Sequence, residues 1–86
     1  MKPNTDRIDE ATLALMYLVM CERYEEFGGA RAWKGFDWET MNRLHEKELI
    51  SDPVGKQKSV YLTEEGYQKS KALFEKMFCD EENTDD

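Results

Sequence analysis

The strongest constraint on the fold is an unbroken apolar run of nine residues, Leu13–Cys21. The run is too short to cross a bilayer, because a spanning helix needs about 20 apolar residues. We interpret it as the centre of a helix over residues 7–27, with Asp6 as N-cap and Gly28-Gly29 as C-terminal stop. Such a helix is apolar on every side, so several other elements must cover it.

The charge of the chain is concentrated at its C-terminal end. A length of 86 residues allows one domain, and the formal net charge is −7. Residues 80–86 contain five acids and no base, whereas residues 1–79 contain 14 acids and 12 bases. We predict a domain over residues 1–79 and an acidic disordered tail over residues 80–86. This balance argues against a protein that holds nucleic acid by bulk positive charge.

The sequence predicts a cytoplasmic protein with no membrane contact. The N-terminal segment has one basic residue among its first six and no apolar stretch directly behind it, so it does not resemble a signal peptide. Two widely spaced cysteines, Cys21 and Cys79, do not make a disulfide framework.

The remaining segments predict two more helices and a small hairpin. Ala30–Lys34 is expected to form one helical turn, and Asp37 is expected to cap a helix that starts at Trp38 and fades near Ile50. Val60 and Leu62 alternate with polar neighbours, which is typical of a half-buried strand. Thr63 is expected to cap the last helix, whose inner stripe is predicted to be Tyr67, Ser70, Phe74 and Phe78. The predicted class is mainly α with one small β-hairpin.

Three consecutive segments resemble winged helix-turn-helix proteins. Residues 41–50 resemble the recognition helix of MarR- and PadR-type regulators, and residues 51–56 resemble the entry to the wing. Residues 60–66 are similar to the second wing strand and the Leu-Thr-Glu-Glu-Gly that follows it. The resemblance implies a winged-helix-like single domain that binds double-stranded DNA through the third helix and wing. The chain departs from it in the short Ala30–Lys34 segment and in Glu48, where the regulators usually have glycine.

A second resemblance covers the whole chain. The stretch Arg31–Trp38 and the following Leu44–Lys47 resemble a family of small bacterial proteins known only as a domain of unknown function. This resemblance implies no activity.

Five residues are candidates for DNA contact under the winged-helix interpretation. They lie on the third helix and the wing: Asn42, Arg43, Lys47, Lys56 and Lys58. Arginine and asparagine can read guanine and adenine edges through paired hydrogen bonds. Glu39 and Glu46 share the outer face of that helix, so the positive charge available for phosphates is small.

Five apolar residues are candidates for protein contact. They lie on the first helix and around the short turn: Leu13, Met16, Met20, Trp33 and Trp38. Tryptophan is enriched at the energetic centres of interfaces. A stripe of the first helix is expected to pair with a second copy, which makes a homodimer. The alternative is that Trp33, Phe36 and Trp38 close over that helix in a monomer.

Catalytic and metal-binding patterns are missing from the sequence. His45 is the single histidine, no cysteine pair has metal-ligand spacing, and no glycine-rich phosphate loop is present. We therefore expect no enzyme, no metal and no cofactor. The sequence favours a protein-interaction module for an unknown partner on a degenerate winged-helix scaffold. The alternative is a DNA-binding, transcription-associated protein.

Overall fold

The computed structural model describes residues 1–80, and the rest of the predicted acidic tail, residues 81–86, lies outside them. The described chain folds into three helices and a three-stranded antiparallel sheet. Helical content is dominant, as the sequence predicts, but the sheet has one strand more than the predicted hairpin. The elements in chain order are α1 (Thr5–Met16), β1 (Met20–Arg23), β2 (Ala30–Trp33), α2 (Trp38–Glu46), β3 (Ser59–Leu62) and α3 (Glu64–Phe78).

The first helix is shorter than predicted. Its N-cap is Asn4, whose side chain accepts a hydrogen bond from the Arg7 backbone N–H, and it ends at Met16 instead of residue 27. The uniformly apolar run misled the prediction, because the run spans the end of α1, a turn and the start of β1. An apolar run without periodicity does not distinguish a helix from a strand.

The segment predicted as the end of that helix forms a β-hairpin with β2. Met20 pairs with Ala32 and Arg23 with Ala30, with an irregularity between Met20 and Glu22. Gly28 and Gly29 adopt φ values of 91° and 88°, so they turn the chain between two strands instead of capping a helix. The prediction of a helical turn at Ala30–Lys34 is also wrong, because Ala30–Trp33 is the central strand of the sheet.

The predicted strand near residue 60 is confirmed as β3. It pairs with β2 in the register Ala30–Leu62 and Ala32–Val60, and an isolated bridge joins Ile50 to Leu62. Val60 and Leu62 are buried, as their alternation predicts. The neighbouring Tyr61 is half-buried, and its hydroxyl donates to the Gly28 carbonyl oxygen at 2.8 Å.

Both predicted caps of the later helices are confirmed. The Asp37 carboxylate accepts the Thr40 N–H at 3.0 Å, and the Thr63 hydroxyl accepts the Gly66 N–H at 3.0 Å. A side chain at Gly66 would collide with the Leu49 carbonyl oxygen, which explains the glycine of the Leu-Thr-Glu-Glu-Gly motif. Glu48 has a φ of 65° just after α2, at the position where the resembling regulators carry glycine.

The core lies between the helices and one face of the sheet. The helices α1 and α2, the segment that follows α2, and the strands β2 and β3 contribute its buried members: Leu13, Met16, Ala32, Met41, Leu44, Leu49, Ile50, Val60 and Leu62. From α3, the partly buried Leu73 packs against this core. The inner stripe predicted for α3 is only partly correct. Ser70 is buried and donates to the Leu13 carbonyl oxygen at 2.7 Å, whereas Phe78 is 48% exposed. No helix within residues 1–80 is long and apolar enough to span a membrane.

Candidate functional site

Two of the five candidate DNA-contacting residues form ion pairs inside the fold. Asp9 on α1 is only 2% exposed, and its carboxylate accepts hydrogen bonds from Arg43 Nε at 2.9 and 3.1 Å. Lys47 Nζ donates to the same carboxylate at 2.8 Å. Arg43 also donates to the buried Thr40 hydroxyl at 3.1 Å. The two cations therefore join α2 to α1.

The electrostatics of this cluster favour its charged form. Burial raises the pKa of Asp9, but the hydrogen bonds and charges of Arg43 and Lys47 outweigh it and hold that pKa below its usual 3.8. The hydrogen bond to Asp9 likewise raises the pKa of Lys47. Arg43 and Lys47 would have to leave Asp9 buried without a countercharge before they could contact a DNA base.

The other three candidates lie away from this cluster. Asn42 is half-buried on α2, whereas Lys56 and Lys58 are exposed on the loop that precedes β3. The fold brings these two lysines to the end of β2 and the start of α2. There they meet Trp33 and Trp38, which are 48% and 53% exposed.

These side chains surround an open pocket of about 350 Å³ that we name the wing groove. Its lining is Trp33, Lys34, Gly35, Phe36, Trp38, Gly55, Lys56, Gln57 and Lys58. Among the described residues, this lining contains three lysines and no acid. The structure therefore joins two of the predicted DNA-contacting residues and two of the predicted protein-contacting residues in one surface.

Short-range contacts hold the walls of the wing groove. Lys34 Nζ donates to the carbonyl oxygens of Pro53 and Gly55 at 2.6 and 3.1 Å, and the Lys34 N–H donates to the Lys58 carbonyl oxygen at 3.1 Å. The Trp33 indole lies so close to Gly35 that a side chain there would collide with it. The loop and one tryptophan are thus held in place by contacts within the fold.

The first-helix candidates are not part of this surface. Leu13 and Met16 are buried in the core, at 2% and 0% exposure, and Met20 is half-buried against it. The apolar side chains that stay exposed nearby are Ile8, Leu15 and Leu18. Phe36 packs against the core, whereas Trp33 and Trp38 remain half-exposed instead of both closing over α1.

Sequence reasoning missed Asp9 and Arg31. Asp9 lies four residues before Leu13 and seven before Met16, so it shares the buried face of α1 with them. An acid at this spacing is the feature of the sequence that indicates a buried carboxylate. The sequence predicts a helical turn around Arg31, whereas the structure places this residue on the central strand. Within residues 1–80, no three histidine, cysteine or acidic side chains converge to hold a metal.

A third ionic contact connects the hairpin to α3. Glu64 accepts hydrogen bonds from Arg23 at 2.7 Å and from the Gly29 N–H at 2.8 Å. The hydrogen bond from Arg23, with those from Gln68 and Gly29, lowers the pKa of Glu64 from 4.5 to about 2. The motif Leu-Thr-Glu-Glu-Gly therefore supplies a cap, an ion pair and a close-packing glycine.

Comparison with known proteins identifies the family. Residues 4–80, which include all the helices and strands that the structure describes, match the family described as Domain of unknown function (DUF6429). The chain belongs to this family. It is 47% identical over 78 residues to "Uncharacterized protein y4hR" of Sinorhizobium fredii (strain NBRC 101917 / NGR234), which covers 91% of this chain and 97% of that protein. No solved structure matches the DUF6429 chain significantly.

Proposed function

We propose that this DUF6429 protein is a non-enzymatic, cytoplasmic interaction module that binds an acidic segment of a partner protein in the wing groove. The observation that carries the proposal is the pair Trp33 and Trp38, each about half exposed, beside three lysines in a groove whose lining has no acid. Tryptophan is enriched among the few residues that supply most of the binding energy of an interface, and a partner that covers this pair would desolvate them.

The groove is suited to binding because little of it needs to be ordered. Lys34 holds the loop through two carbonyl oxygens, and Gly35 leaves room for the Trp33 indole. A surface that is already ordered loses less side-chain and loop entropy on association.

Charge selects the class of partner. Lys56 and Lys58 are exposed, and neither forms an ion pair with a carboxylate within residues 1–80. An acidic segment with one apolar or aromatic side chain would place carboxylates near these lysines and the apolar group between the tryptophans. Such complementarity raises the association rate and excludes basic partners.

The scaffold supports a degenerate winged helix. β2 pairs with β3, and the bridge between Ile50 and Leu62 closes a wing-like loop behind α2. The strand β2 and a short connection stand where a helix-turn-helix protein has its second helix, which buttresses the recognition helix. With Arg43 and Lys47 bound to Asp9, α2 has lost its two cations for base contact.

The second candidate function is binding of double-stranded DNA. The observation that favours it is the exposure of Lys56 and Lys58 on this wing-like loop, where they can reach phosphates. A protein that uses phosphate contacts loses affinity steeply as salt rises. Two lysines neutralise few phosphates, so the electrostatic affinity for DNA and its salt dependence are both small. We therefore rank this function second.

Intrinsic fluorescence tests the proposal directly. Trp33 and Trp38 are the two tryptophans of the chain, so their emission reports on the groove. An acidic peptide with one central phenylalanine should change that emission saturably, and a peptide with lysine at each acidic position should not.

Variants of the protein show where the acidic peptide binds, with affinity measured by the fluorescence anisotropy of the labelled peptide. Trp38→Ala should weaken binding about tenfold, the size of a moderate hot spot. The matched control is Phe27→Ala, because Phe27 is an aromatic side chain, 71% exposed, in the β1–β2 turn outside the groove. Equal loss with both variants would contradict the proposal. Tighter binding of duplex DNA that depends on Lys56 and Lys58 would favour the second function.

A further inference from the structure

We propose that a second pocket, adjacent to the wing groove, binds a phosphate monoester through Arg31. The pocket has a volume of about 260 Å³ and shares Lys34, Gly55, Lys56 and Gln57 with the wing groove. We name it the Arg31 pocket. Its polar lining includes Arg31, Lys34, Lys56, Ser51, Ser59 and Asp52. The inference does not depend on the proposed partner segment.

The first observation is an arginine without a countercharge. Arg31 is half-buried on the central strand, and among residues 1–80 only its Nη1 has acceptors, at 3.2 Å to Gln57 Oε1 and 3.1 Å to Ser59 Oγ. Both acceptors are neutral. Within residues 1–80, the other half-buried arginines, Arg23 and Arg43, each hold a carboxylate. The rest of the Arg31 guanidinium therefore has donors to spare, in the fork geometry that suits an oxyanion.

The second observation is the charge of the lining. Arg31, Lys34 and Lys56 face one acid, Asp52, which leaves a net charge of +2 in the pocket. The Asp52 carboxylate is already occupied by the Val54 N–H at 3.0 Å. A phosphate monoester carries between about −1.5 and −2 charges at neutral pH, so it matches this balance better than a carboxylate does.

The third observation is the supply of neutral donors. The Ser59 hydroxyl oxygen accepts from Arg31, and the Ser51 hydroxyl oxygen accepts from the Tyr61 N–H at 3.0 Å. Each hydroxyl proton is then available, since neither has a protein acceptor within the described residues. Lys34 Nζ has two carbonyl acceptors and one remaining N–H. The pocket can therefore surround a tetrahedral oxyanion with donors from several directions.

The test is a titration of the ¹⁵N-labelled chain with inorganic phosphate at constant ionic strength. We expect saturable amide shifts concentrated at Arg31, Ser51 and Ser59. Acetate should bind about fivefold more weakly, because a monoanion compensates less of the charge. Shifts that do not saturate, or equal affinity for acetate, would overturn the proposal.

Substitutions identify the residues involved. Arg31→Met should weaken phosphate binding about tenfold, the size of one hydrogen-bonded charge. Lys58→Met is the matched control, because Lys58 lines the wing groove but not this pocket, and it should change the affinity less than twofold. If Arg31→Met does not fold, Lys56→Met replaces it, since Lys56 is exposed, and should cost about threefold. An affinity unchanged by both Arg31→Met and Lys56→Met would refute the assignment.

Two further ligands distinguish the sources of phosphate. A phosphoserine peptide that binds more tightly than its unphosphorylated form would support a phosphorylated partner, and binding of free phosphate alone would support a small phosphorylated ligand. Tighter, Arg31-dependent binding of an oligonucleotide without terminal phosphates would overturn the monoester in favour of nucleic acid. Because Trp38→Ala should leave phosphate binding intact, failure here and failure of the proposed function are separate results.

Discussion

Replacing Arg43 with methionine should destabilise the folded chain by about 2–3 kcal/mol. Asp9 is 2% exposed, so without Arg43 its carboxylate would stay largely buried and less well paired. Removal of one partner of a buried ion pair costs about 3–5 kcal/mol. Lys47 Nζ, at 2.8 Å, still supplies a countercharge, and we therefore expect a loss of about 2–3 kcal/mol, below the cost of leaving the carboxylate with no cation. Methionine preserves much of the apolar stem, so the loss reports mainly on charge.

The effect is large enough to measure by urea unfolding. A chain of this length is stable by about 4–13 kcal/mol, and a loss of 2–3 kcal/mol would lower Tm by about 10–20 °C. The midpoint should fall without a change in the m-value, because the exposed area is unchanged. The control is Arg7→Met, a chemically identical change at an exposed position of α1, which should stay within about 0.5 kcal/mol.

A double-mutant cycle tests the reasoning further. Asp9→Leu removes the buried charge, and Arg43 and Lys47 can turn to solvent, since their side chains are 27% and 42% exposed. In that background Arg43→Met should cost much less, with a coupling energy of about 1.5–3 kcal/mol. Independent sites usually add within about 0.5 kcal/mol. If the double variant loses the sum of the two single losses within that limit, the claim that Arg43 stabilises the buried Asp9 carboxylate is refuted.

Three further predictions concern the backbone, pH and assembly. Glu48→Gly should stabilise the chain by about 0.5–1 kcal/mol, because glycine accepts the positive φ without a steric penalty, and a lower Tm would contradict this. The stability contributed by the depressed pKa of Glu64 is present above pH 4.5 and lost as pH falls towards about 2. Glu64→Gln should therefore reduce the change of the urea midpoint with pH between pH 4.5 and about 2. An unchanged pH dependence would show that another group causes the loss of stability. The exposed Ile8, Leu15 and Leu18 predict a dimer, so light scattering should give about twice 10.2 kDa and Leu18→Ser should halve that mass. A wild-type mass near 10.2 kDa would exclude the dimer.

The features that the sequence determined by itself are local ones. Asp37 and Thr63 cap helices because each side chain reaches an N–H three residues ahead, whatever the rest of the chain does. The burial of Val60 and Leu62 follows from the alternation of side chains along a strand. Three helices and the strand β3 were predictable in kind for the same reason, whereas β1 and β2 were not.

Only the tertiary structure decided the first half of the chain and the site. The run Leu13–Cys21 has no period, so its division into α1 and β1 depends on the pairing of β1 with a strand that begins at Ala30. Arg43 has the chemistry of a DNA-reading residue, and what binds it is Asp9, 34 residues away. The wing groove likewise joins Trp33 to Lys58, which come together because β2 and β3 are neighbours in the sheet. Long-range pairing of this kind depends on the packing of the whole chain, and spacing along the sequence does not encode it.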